Sequence, residues 1–246
     1  MNFIKTILGS IMNFFYNTFQ SFGVENEPKA ISYFAMTLLA MAVINKILTI
    51  PMNIKQARSA EQMAKLQPKI EEVKNKYGYD ELVLQEKLKE VYQEAGANPM
   101  GGASCLLMIV QMFIIFALYD VIRNPEIYIW SNLTEAQIAA VPKHFLWISN
   151  LQVRDETLII AIINSLTMLI STWLTRKTRP GMEVTEQQQT TQNTQMFIMP
   201  IMFFFIFKNL PSALVLYWSF GNIIDIIFRG IVYLKNRDKL EQIEEA

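Results

Sequence analysis

ISYFAMTLLAMAVINKILTIPM, residues 31–52, is long and apolar enough to cross a bilayer as a helix, yet Lys46 stands about two thirds of the way along it. A charge near the middle of a span costs about 2.5 to 3.5 kcal/mol on insertion scales, so such a residue normally faces water or a partner. Lys46 is therefore a candidate site residue before anything else is known.

The rest of the chain repeats this alternation. Of 246 residues, 52% are hydrophobic, and they fall in blocks separated by charged stretches, the distribution of a polytopic membrane protein. Twenty-two basic residues balance 22 acidic ones, which leaves no charge argument for a nucleic-acid partner. The single Cys105 excludes an intrachain disulfide, and with His144 as the single histidine zinc has almost no ligands. No metal or other cofactor is expected, and no relay joining Cys105 to His144 is plausible.

Residues 1–30 form an N-terminal segment in which Ile4, Leu8, Ile11, Phe15, Phe19 and Phe22 recur at spacings of three and four. The pattern predicts an amphipathic helix lying in the membrane interface. A cleaved signal peptide is the competing reading, but Phe14, Phe15 and Tyr16 stand where small cleavage-site residues belong. The first span takes residues 31–54. Residues 55–98 then change character, with eight basic and eight acidic residues and two apolar series, Met63, Leu66, Ile70, Val73, Tyr77 and Leu84, Leu88, Val91, Ala95. They predict two amphipathic helices joined at Tyr77-Gly78-Tyr79-Asp80, with Pro68 bending the first.

Four further apolar stretches lie at 103–122, 157–175, 195–207 and 212–234, for five spans in all. Between them run the segments 123–156, 176–194 and Lys208-Asn209-Leu210-Pro211, with a tail at 235–246. If the N-terminus lies outside, the segments 55–98, 176–193 and 229–246 hold fifteen Lys or Arg on the inner side, against six on the outer side. That asymmetry places the 55–98 hairpin and the C-terminus in the cytoplasm. Trp130, Trp147 and Trp173 near span ends fit interfacial belts.

KLQPKIEEVKNKYGYD (65–80), followed by Glu94-Ala95-Gly96-Ala97-Asn98-Pro99, Gln111-Met112, Phe145-Leu146-Trp147, Met199-Pro200-Ile201-Met202, Leu216-Tyr217-Trp218 and Asn222, resembles the YidC/Oxa-type membrane protein insertases over nearly the whole chain. The resemblance implies an all-α polytopic fold in which five transmembrane helices surround a hydrophilic groove open to the cytoplasm. A cytoplasmic helical hairpin and an N-terminal interfacial helix complete it. It implies that Lys46, five positions before Pro51, takes the place of the family's usual Arg. Lys keeps the charge and loses the planar fork that holds a carboxylate bidentately. Other departures are Cys105-Leu106-Leu107 and Gln111-Met112-Phe113 without the usual prolines, Ser171 and Phe228 where Gln is common, and Asp225 where a small polar residue is usual.

On that reading the groove is lined by Asn45, Lys46, Gln111, Ser171, Trp218, Asn222 and Asp225. The hairpin residues Met63, Leu66, Pro68, Tyr77 and Asp80 belong to a capture arm. Lys46 and Asp225 are expected at the same depth, so Asp225 either tunes Lys46 or pairs with Arg229 one turn away. Asn164, Ser165 and Thr167 add polar groups within the third span, where interhelical hydrogen bonds also account for them. The function implied is insertase or chaperone work, with no bond made or broken: hydrophilic parts of nascent membrane proteins enter a positively charged groove, and the hydrophobic segment passes to lipid. Implied partners are nascent membrane proteins, the bilayer, the Sec translocase, the signal recognition particle pathway and the ribosome, although the acidic tail from Leu240 to Ala246 argues against docking of the ribosome there. A small-solute or ion transporter built on Lys46 and Asp225, and a non-inserting assembly scaffold, are the other classes compatible with these residues.

Overall fold

The computed structural model describes residues 2–22, 27–96, 102–177 and 194–244, and what it describes is almost wholly helical. Among the described residues nine α-helices follow in order: α1 Asn2–Phe22, α2 Tyr33–Tyr77, α3 Glu81–Glu94, α4 Gly102–Arg123, α5 Pro125–Tyr128, α6 Glu135–Ala140, α7 Ile159–Lys177, α8 Met199–Phe207 and α9 Ser212–Glu244. A π-helical turn, Thr194–Ile198, leads into α8. Three stretches, Tyr33–Lys55, Ile159–Lys177 and Ser212–Ile231, are long and apolar enough to cross a membrane, and Met196–Phe207 is a shorter apolar helix.

Two boundaries differ from the expected ones. The first span and the first arm of the hairpin are one helix of 45 residues that runs unbroken through Pro51 and Pro68. A change from apolar to charged side chains alters what the helix faces, not its backbone hydrogen bonding, and each proline removes only one such bond. The fifth span likewise continues to Glu244, through residues expected to form a separate tail. Of the expected loop at 176–194, residues 178–193 lie outside the described residues, as do Ala97, Asn98 and Pro99.

The hairpin turn follows its sequence. Gly78 ends α2 at a point where a Cβ would sit 2.5 Å from the Lys74 carbonyl oxygen. Asp80 then starts α3, its Oδ1 accepting the backbone N–H groups of Leu82 and Val83 at 3.1 and 3.2 Å. Ile70 on α2 is buried, Leu66 and Tyr77 are half-buried, and Pro68 is exposed. Met63 lies within α2, but its side chain is outside what is described.

α9 is the hub of the bundle and packs on α7, α2 and α4, while α8 packs on α7. The start of α2, the end of α4 and the start of α9 gather at one end, where the segment between α4 and α7 ties them together. Ser32 N–H donates to the His144 carbonyl, Gln152 Nε2 to the Ile122 carbonyl, and Ser212 N–H to the Val153 carbonyl. The core sits at this end: Phe34, Leu38, Leu118, Ile122, Leu151 and Leu214 are buried around Trp130. Helix α1 joins that core through Met12 and Tyr16, and its Lys5 pairs with Asp120 of α4 at 2.6 Å. The expected N-terminal helix is therefore docked on α2, α4 and α5, and the face it buries is Gly9, Met12 and Tyr16, whereas the expected apolar series is half-buried at Ile4, Leu8, Ile11, Phe15 and Phe19 and exposed at Phe22.

Candidate functional site

Burial along the helices changes between the two ends. On α2, the N-cap Ser32 and residues 33–35, 37, 38, 41 and 42 are buried, and from Val43 onward through the span every residue is half-buried or exposed. On α9 the buried run is 212–217 with Ser219 and Gly221, after which the described side chains are half-buried or exposed. Lys46 and Asp225 lie just beyond that change on the two helices, and Lys46 Nζ donates to Asp225 Oδ2 at 2.5 Å. Their side chains keep 24% and 27% of their surface accessible, so the pair is only partly desolvated. Asp225 thus takes Lys46, not Arg229, as its partner.

The pair has a built seat. A Cβ on Gly221, one turn before Asp225, would lie 3.2 Å from Lys46 Cε and 3.9 Å from its Nζ, so the lysine stem lies along α9 where the glycine leaves space. Thr49, beside the pair on α2, returns its hydroxyl to the Asn45 and Lys46 carbonyls of its own helix. The Asn45 side chain meets the Tyr217 hydroxyl, which joins α2 to α9 one step nearer the core. Arg229, one turn beyond Asp225, has a buried Nε without a hydrogen-bond partner among the described residues.

The other expected site residues divide. Asn222 Nδ2 and Ser219 Oγ both approach Oδ1 of the fully buried Asn164 on α7, at 3.4 and 3.3 Å. Trp218 stacks on Phe203 and packs on Phe207 of α8, with ring centroids 6.0 and 5.6 Å away. Gln111 on α4 and Ser171 on α7 are half-buried, and no hydrogen bond joins either to Lys46 or Asp225 among the described residues. Ser165 reaches the Pro200 carbonyl of α8 at 3.1 Å and Thr167 returns to its own helix, so both serve packing. Of three contributors outside the expected groove set, Gly221 as the seat and Asp155 were not marked from the sequence, while Asn164, expected there as a polar group with interhelical hydrogen bonds, is the acceptor for two α9 side chains. A glycine one turn from an intramembrane carboxylate, and an Asp-x-Thr just ahead of an apolar run, are signals that could have found two of them.

Asp155 fastens the opposite end. The residue is 8% exposed, and its carboxylate accepts from Thr157 N and Oγ1, Ile160 N and Trp147 Nε1, capping the start of α7. Burial pushes its pKa up, but these hydrogen bonds outweigh it and hold the carboxyl below its ordinary 3.8. Lys143 caps the same end, donating to the Ile138 and Val141 carbonyls and lying 5.3 Å from the centre of the Trp130 ring, and burial lowers its pKa.

The family described as "60Kd inner membrane protein" matches residues 27–239. The membrane protein insertase YidC of Clostridium perfringens is 31% identical over 98% of both chains. The chain belongs to the YidC insertase family. YidC of Fusobacterium nucleatum is 30% identical over 91% of this chain and 99% of its own. YidC of Geobacter metallireducens is 32% identical over 93% of this chain, which spans 36% of that longer relative. A crystal structure of an active YidC insertase, with its first transmembrane domain resolved, matches 90% of this chain and 45% of its own at 26% identity, with a TM-score of 0.59. Membership makes the protein a membrane protein insertase, and its all-helical architecture agrees with that of the solved relative.

Proposed function

We propose that Lys46 is the attracting centre of a water-accessible groove between α2, α4, α7 and α9, and that the protein draws hydrophilic tails of nascent membrane proteins into it before their hydrophobic segments pass to lipid. The observation that carries this reading is the partly accessible Lys46–Asp225 pair, placed just past a densely packed end of the bundle. A cation accessible from one side lowers the cost of bringing a polar tail partway into the membrane, and its attraction for an Asp or Glu of that tail offsets further desolvation. The bilayer supplies most of the driving force.

In the same reading five helices span the membrane, α4 and α8 being the second and fourth. The Trp130 end faces outward, and the α2–α3 hairpin and the C-terminus lie in the cytoplasm of a bacterial cell. The surplus of Lys and Arg in the segments on the hairpin side supports this orientation. Asn45, Gln111, Ser171, Trp218 and Asn222 line or border the groove. The hairpin, with Tyr79 and Leu82 exposed at its tip, receives the arriving segment or the targeting machinery, for which the Sec translocase, the signal recognition particle pathway and the ribosome are candidates.

The test is insertion into proteoliposomes of a single-span substrate with an acidic translocated tail. Lys46→Ala lowers insertion by about tenfold, the equivalent of about 1.4 kcal/mol, and Lys46→Arg retains it. Equal insertion by all three proteins rejects the electrostatic groove and leaves a scaffold or insertion through hydrophobic contacts.

A further inference from the structure

The paired state of Lys46 raises a question that the groove reading leaves open: a lysine already held by a carboxylate has no free charge to offer an acidic tail. We propose that Asp225 is an exchangeable counter-ion. An incoming carboxylate displaces it from Lys46, and Asp225 passes to Arg229, one turn along the same helix. The inference rests on the groove reading and adds the device that sets which tails the groove prefers.

Three observations carry it. The first is geometry: Asp225 and Arg229 are four positions apart on α9, the spacing at which side chains of opposite charge meet on one helix face. The second is the idle donor: the buried Arg229 Nε has no hydrogen-bond partner, and no ion pair reaches its guanidinium among the described residues. A buried donor left without a partner is a cost that Asp225 removes on arrival. The third is charge. Lys46, Asp225 and Arg229 together carry one surplus positive charge, and a single bound carboxylate brings the site to neutrality.

Gly221 holds the resting arrangement, because the lysine stem runs past its missing side chain toward Asp225. Neighbouring polar groups do not compete: Thr49 is satisfied on its own helix, and Asn45 is engaged with Tyr217. With Asp225 in place, an empty groove holds no unpaired cation at Lys46, and an acidic tail gains only the difference between two carboxylates. Asp225 is thereby a specificity-determining residue that moderates the preference for acidic tails, and Arg229 is the positioning residue that makes the exchange affordable.

The experiment compares insertion of two single-span substrates, one with aspartates in its translocated tail and one with serines at the same positions. The intact protein, Asp225→Asn, Arg229→Gln and Lys46→Ala are each tested in proteoliposomes. The readout is the acidic-to-neutral ratio of insertion rates. Asp225→Asn raises it by roughly fivefold, about 1 kcal/mol at 1.4 kcal/mol per decade, because the tail no longer competes with a resident carboxylate. Arg229→Gln lowers it, slowing the acidic tail more than the neutral one, a split that a merely structural loss, which slows both alike, does not produce. An Asp225→Asn ratio that is unchanged or lower overturns the inference, as does an unmoved ratio in Arg229→Gln. If Asp225→Asn does not fold, Arg229→Gln alone decides. Should Lys46→Ala abolish the acidic preference while both other variants leave it intact, the exchange fails and the groove stands. Should Lys46→Ala also leave it intact, the groove reading fails as well.

Discussion

Where α2, α4 and α9 meet Trp130, large apolar side chains interlock, and four hydrogen bonds converge on the Asp155 carboxylate. A few turns further along the same helices, Lys46 and Asp225 meet with a quarter of each side chain still accessible. The helices are the same; the side chains between them are not. Tight apolar packing excludes water and fixes the helix ends, whereas a charged pair is tolerated only where water or a polar substrate can replace what the pair gives up. A single bundle can thus be sealed at one end and receptive at the other without a separate domain for either task.

Three perturbations break or sharpen this contrast. The largest effect is expected from Trp130→Ala, which removes a fully buried ring packed edge-on to Tyr16 and against Phe34. It costs about 3 to 5 kcal/mol, read as a lower thermal midpoint in detergent, with the Lys46 end unaffected in local cysteine accessibility. Gly9→Ala comes next: its Cβ would lie 2.6 Å from Tyr128 Cβ and from the Tyr128 carbonyl oxygen, so α1 must shift away from α5. A loss of about 1 to 3 kcal/mol and faster amide exchange in α1 are expected. A variant as stable as the parent would show that α1 is not part of the seal.

The smallest effect is the acid response of Asp155. Because its folded pKa is depressed below 3.8, its hydrogen bonds are fully stabilising above that value and are lost as the pH falls through the lower folded value. Tryptophan emission from the Trp130 end therefore stays constant from neutral pH down to about 3.8 and changes only below it, and Asp155→Asn removes that step. A change near pH 6 would assign the acid sensitivity to another group.

Most of the helices could be read directly from the chain, as could Lys46, because a charge in an apolar run is anomalous whatever surrounds it. The Asp80 cap and the turn at Gly78 were equally legible, since caps and turns depend on neighbours a few residues away. Helix ends that follow polarity were not. The apolar pattern stops near Met52, yet the backbone continues to Tyr77, because amphipathic character after a span needs no break in hydrogen bonding. Trp218 is a second case: its packing on Phe203 and Phe207 is set by the rotation of α9 against α8 and has no mark in the sequence.

The amino-acid order by itself determined the helical membrane class, the number and position of apolar blocks, the hairpin turn and the intramembrane lysine, all properties that accumulate locally along the chain. Only the tertiary structure decided that Asp225 faces Lys46 across 179 residues of sequence while Arg229 Nε has no hydrogen-bond partner among the described residues, that Gly221 makes room for the lysine, and that the main buried apolar cluster gathers around Trp130. Those outcomes depend on the relative depth and rotation of α2 and α9, and a displacement of one residue along either helix turns its side chains by about 100° and would send them elsewhere.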